Sequence, residues 1–126
     1  MLNMLAVAFG AAIGANLRYG LASWAAQHLG TTWPYGTFII NVLGCLVIGA
    51  LLTLAATRLP LSEPVRLLLV TGLLGGFTTF STFGYEGFTL LTTGNWLGAS
   101  LYLGASVLGG LLAVFLGAGL VRLITG

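Results

Sequence analysis

Lysine and aspartate are absent from this 126-residue chain, and charge of either sign is scarce: four arginines, two glutamates and one histidine. Charged residues make up 5% of the sequence, against about a quarter in soluble domains. So thin a charge leaves no basic footprint for nucleic acid. The single cysteine, Cys45, lies in an apolar run, which excludes an intrachain disulfide and a thiolate metal cluster and leaves it as a small packing residue. His28 has no second His, Cys or carboxylate at ligand spacing, so it reads as an interfacial residue rather than a metal ligand. Catalytic signatures are missing too. There is no Ser-His-acid set, no HExxH, no GxxxxGK[ST] and no histidine near Ser81, so hydrolytic and phosphoryl chemistry lack a base and a phosphate cradle. The chain is not expected to be an enzyme. No basic n-region precedes the first apolar run, so that run is expected to stay in the mature protein.

What is present is apolar: 58% hydrophobic residues and a mean hydropathy of +1.08. That composition predicts an all-α integral membrane protein of one domain. A span needs roughly 20 apolar residues, so there is room for four, over approximately 2–29, 37–57, 65–91 and 97–124. Segment one carries Gly10 and Gly14 in a GxxxG pattern that permits close helix approach, and its apolar part stops at Asn16 and Arg18. Arg18 either lines a vestibule or snorkels, since an arginine at a helix centre costs about 3 kcal/mol on insertion scales. Residues 30–36 form a turn, with Trp24, Trp33 and Tyr35 as an interfacial belt. Segment two carries Thr37 and Asn41 on one face at i, i+4. The Asn41 amide either binds helices together or lines a pore. Residues 58–66 hold two prolines and three of the six formal charges, which predicts a water-exposed turn with a helix starting at Ser62 and Glu63. Tyr102 and Ser106 share a face of segment four, and the 20 glycines predict tight contacts, including contacts between copies of the chain.

Residues 72–84 break the pattern. Four glycines, four hydroxyl residues and three phenylalanines occupy thirteen positions. The preceding stretch, 67–74, looks like ordinary helix. A membrane helix gains nothing from weakening itself with paired glycines, so an interruption at 75–78 predicts exposed backbone meant for a ligand or cavity. Past it, Phe77, Phe80 and Phe83 recur every three residues, and Thr79, Thr82 and Glu86 form a polar row. Freed carbonyl oxygens are hard ligands suited to a small cation such as Na⁺. Phenyl ring edges, the Asn41 NH₂ and the hydroxyls suit an anion. The competing reading makes the phenylalanines core packing and the glycines a helix contact. A small proton-coupled multidrug-type exporter is the other functional alternative, with Glu86 as its only interior titratable group. Three of the four arginines fall on the side of the termini. That favours one orientation by a margin thin enough to leave insertion in both directions open.

Residues 75–83 (GGFTTFSTF), together with residues 14–19 (GANLRY) and 37–44 (TFIINVLG), carry a resemblance to the Fluc (CrcB) family of bacterial fluoride channels, and the likeness runs through all four segments. The resemblance implies an antiparallel, dual-topology homodimer in the bacterial inner membrane, its third helix broken, with two fluoride pathways. Fluoride would leave the cytoplasm passively, protecting the cell. Phe80 and Phe83 look like the phenylalanine box, Asn41 like the pore asparagine, and Thr79, Ser81 and Thr82 like the hydroxyls of the break. The backbone carbonyls of Gly75 and Thr78 resemble the ligands of a central structural Na⁺ on the dimer axis. Thr37, Tyr102 and Ser106 resemble the polar track, and Arg18 the vestibule arginine. Gly110 stands where a further hydroxyl would extend the track. Phe77 is left to packing.

Overall fold

The fold is given by a computed structural model, which describes residues 1–125. Among the described residues every regular element is helical: α1 (Leu2–Leu29), α2 (Tyr35–Thr57), α3 (Glu63–Arg66), a π-helix (Leu67–Leu74), α4 (Gly75–Phe77), α5 (Phe80–Thr92) and α6 (Trp96–Thr125). Four stretches are long and apolar enough to cross a membrane: Leu2–Leu29, Tyr35–Thr57, Glu63–Thr92 and Trp96–Thr125. An all-helical architecture follows from the solvent, because only intra-segment bonding satisfies every peptide group in hydrocarbon without a closed barrel.

Two expectations about the third stretch are corrected. Residues 67–74 are not ordinary α-helix but π-helix, in which the wider i→i+5 bonding runs for eight residues. The run is apolar and aliphatic, and nothing in its composition distinguishes the two helix types. The glycine pair does not itself depart from helix either: Gly75 and Gly76 lie in α4, and the extended residues are Thr78 (φ −83°, ψ 160°) and Thr79 (φ −151°, ψ 116°). Gly72 and Gly76 serve close approach instead. A Cβ on Gly76 would lie 2.7 Å from the Ala11 oxygen, and one on Gly72 would lie 2.7 Å from the Val7 oxygen. The reverse contacts run from Gly10 and Gly14 to the backbone of residues 68–77, so two small-residue stripes interlock.

The turn before α2 is also shorter than residues 30–36, since the helix already begins at Tyr35, after Pro34 at the N-cap. Gly30 takes φ 82°, a left-handed conformation that favours glycine. α2 lies along α6, and α1 along the π-helix and α4. Gly49 meets the backbone of Val114, and Gly117 that of Leu46 and Ala50. Two packed helix pairs therefore flank the Thr78–Thr79 link, which faces α2.

Candidate functional site

Asn41 on α2 holds the link. Its Nδ2 donates to the Thr79 carbonyl at 3.1 Å and its Oδ1 accepts from the Thr79 N–H at 2.9 Å. Both backbone groups of an extended residue are thereby satisfied by one side chain, which removes the desolvation cost of leaving them bare in a low-dielectric site. Gly44, one turn on, leaves room for the Thr78 methyl, where any side chain would collide with it. Thr78 Oγ1 bonds back to the Leu74 carbonyl at 2.9 Å.

Thr79 also starts the next helix. Its Oγ1 accepts from the Thr82 N–H at 3.3 Å, an N-cap bond, donates to Thr82 Oγ1 at 3.0 Å and lies 3.3 Å from Ser81 Oγ. Among the described residues the N–H groups of Phe80 and Ser81 find no acceptor, as expected of a first helical turn. The same holds for the carbonyls of Gly75 and Thr78, to which no group donates.

These elements border a groove of about 390 Å³ lined by Asn41, Thr78, Thr79, Phe80, Phe83 and Ser106, with Gly75 and Cys45 also on its wall. Phe80 is 84% exposed, and its ring centroid lies 5.6 Å from that of Phe83. Ser106 Oγ is buried and has no hydrogen-bond partner. A buried hydroxyl without a partner is uncommon and invites a ligand or water as explanation.

Tyr102 connects this groove to a second cluster. It is fully buried, its ring 5.3 Å from that of Phe83, and its hydroxyl donates to Glu86 Oε2 at 2.6 Å. Thr37 Oγ1 donates to Glu86 Oε1 at 2.9 Å. Thr37 and Glu86 line a second cavity of about 380 Å³, bordered by Trp33, Tyr35, Tyr85 and Thr89.

The residues singled out in the sequence therefore divide. Asn41, Gly75, Thr78, Thr79, Phe80, Phe83 and Ser106 meet at the groove; Thr37 borders the second cavity, with Tyr102 between the two. Ser81 and Thr82 are exposed and reach the groove only through Thr79. Arg18 is half-buried on α1 and lines neither cavity. Phe77 is half-buried beside Gly44. Glu86 was not placed with Thr37 and Tyr102 by the sequence, although it is the one carboxylate inside an apolar span and carries the signal that could have found it. Cys45 and Gly44 at the groove carry no such signal.

Comparison with known proteins adds a relationship. A family model described as CrcB-like protein, Camphor Resistance (CrcB), matches residues 5–118. A protein of Chloroflexus aurantiacus named "Fluoride-specific ion channel FluC" is 73% identical over 122 residues, covering 97% of each chain. Proteins of the same name from Roseiflexus sp. and Rhizobium johnstonii are 57% and 43% identical, covering 98% and 97% of this chain and 99% and 98% of their own.

Proposed function

The chain belongs to the CrcB-like family, and from that membership we propose that it is a passive channel selective for fluoride. The observation that carries the reading is the groove in which Asn41, Phe80, Phe83 and the unpartnered Ser106 hydroxyl converge. Fluoride is small and strongly hydrated, and a pathway must replace lost water with donors. Ser106 offers a free O–H, and Asn41 retains a second amide N–H beyond the one given to Thr79. The first turn of α5 opens at the same groove with uncommitted N–H groups and the positive end of a helix, which favour an anion. The edges of the Phe80 and Phe83 rings carry positive partial charge. None of these groups bears a formal charge that would trap the ion.

The working unit in this proposal is a homodimer of antiparallel copies in the bacterial inner membrane, with two pathways and the third span broken at Thr78–Thr79. A second copy would cover the side of the groove on which Phe80 stands out. Na⁺ is the proposed structural cation. The residues fit it: the Gly75 and Thr78 carbonyls are hard oxygen donors with no hydrogen bond of their own. Bound there, the cation would offset the carbonyl dipoles; Asn41 and Thr79 shape the link through their own bonds. The physiological outcome proposed is export of cytoplasmic fluoride and resistance to it.

Proteoliposomes test the reading directly. They should release fluoride, measured by electrode, while retaining chloride and without needing a proton gradient. Replacing Phe80 or Phe83 with Ile should leave a folded protein with reduced flux. Fluoride release no faster than from empty liposomes would overturn the channel. Export requiring both Glu86 and a proton gradient would favour the multidrug-type exporter.

A further inference from the structure

Two walls of the groove face each other across its inner end. On α2, Asn41 and Cys45 stand one turn apart on one face and both line it, with apolar Ile48 beyond. On α6, Ser106 lines the groove, and the same face continues one turn on, about 6 Å along the axis, at buried Gly110, which has no side chain to offer. Cys45 takes up the space that this glycine leaves. A Cβ on Gly110 would stand 3.3 Å from Cys45 Sγ and would meet nothing else within 4 Å outside its own helix. The polar side-chain atoms on these two walls are therefore those of Asn41, Ser106 and the free thiol of Cys45. Independently of the cysteine, the buried and unpartnered Ser106 hydroxyl marks this part of the groove as a place for a ligand or water.

We propose, resting on the channel reading above, that the Cys45 thiol is a further group of the fluoride pathway. It carries the line of donors from Ser106 on α6 across to α2, at the level where α6 has only a glycine. A neutral thiol donates a weak hydrogen bond and brings no formal charge to hold the ion. A weak donor suits such a position, because conduction needs a step that an ion or its water can leave as readily as enter. Gly110 and Cys45 are then complementary: a side chain on one wall excludes a bulky one on the other, and either wall can supply the polar atom. A packing role would need only the volume of the sulfur, whereas a pathway role needs its S–H.

Fluoride efflux from proteoliposomes of the full-length protein and its variants tests this role, with a single gel-filtration peak in detergent as the check on folding. Cys45→Val keeps the bulk and removes the S–H, and should lower flux about threefold or more, the scale of one weak hydrogen bond lost along the path. Cys45→Ala should do the same. Gly110→Ser alone crowds the sulfur and should also lower flux. Cys45→Ala combined with Gly110→Ser clears the sulfur and supplies a hydroxyl from the opposite wall. That pair should conduct faster than either single variant and return to within about twofold of the unaltered protein. Unchanged flux in folded Cys45→Val overturns the role of the thiol, as does a folded double variant no faster than Cys45→Ala. Absence of fluoride release from the unaltered protein is a different result, which overturns the channel and this role with it.

Discussion

Ser106 is the one buried side chain at the groove whose polar atom lacks a hydrogen bond among the described residues. Its hydroxyl is buried without a partner, a state that costs roughly 1–3 kcal/mol of desolvation unless something compensates. A residue kept only for packing has no need of that oxygen. Ser106→Ala is therefore expected to move two measurements in opposite directions. Thermal stability in detergent should hold or rise by up to about 1 kcal/mol, while fluoride flux in proteoliposomes falls. A loss of stability with unchanged flux would give the hydroxyl a structural role instead. Asn41 is the contrasting case, because the sequence left open whether its amide binds helices or lines a pathway. The amide grips the Thr79 backbone and also borders the groove, so the two roles are compatible in one side chain.

Among elements, the interlocked glycine stripes of α1 and the π-helix with α4 carry the close packing. The same substitution should have opposite effects at two glycines. Gly76→Ala places a Cβ 2.7 Å from the Ala11 backbone oxygen, against rigid helix, and should destabilise by about 1–3 kcal/mol. Gly104→Ala on α6 meets nothing within 4 Å and should be neutral or stabilise by up to about 1 kcal/mol through helix propensity. Thermal unfolding of the two variants in one detergent checks the pair. The existence of four apolar helices was legible in the sequence, because hydropathy over some twenty residues is a strong signal. The π-helical form of residues 67–74 was not, since aliphatic residues accept either hydrogen-bond register and tertiary fit decides between them. The narrowing of the interruption from the expected residues 75–78 to Thr78–Thr79 has a related cause. Glycine permits an irregular backbone without requiring it, and the partner that holds Thr79 extended is Asn41, 38 residues away. The Thr37–Glu86–Tyr102 cluster escaped for the same reason: it joins three different helices, and spacing within one helix cannot reveal it.

For the whole molecule, the proposed antiparallel pair demands that one polypeptide insert in both orientations. Arg58, Arg66 and Arg122 lie on the side of the termini, and the turns 30–34 and 93–95 on the other side carry no charged residue. A cysteine placed at exposed Thr93, in a Cys45→Ser background, reads the orientation in intact cells. A membrane-impermeant thiol reagent added from outside should label roughly half of the copies under dual topology. Labelling of all copies or of none would leave a single orientation and remove the antiparallel pair.

One detail reaches beyond its immediate neighbourhood. Thr79 has the dihedral angles of a β-strand in a protein of helices, and Asn41 returns both bonds that the residue opposite it in an antiparallel sheet would supply. The link is thus a one-rung ladder whose second strand is a single side chain. Its geometry is written in α2 rather than in the glycine-rich stretch that looked responsible. Protection of the Thr79 amide from hydrogen exchange accordingly reports the docking of α2 onto the interrupted segment, at the resolution of one proton.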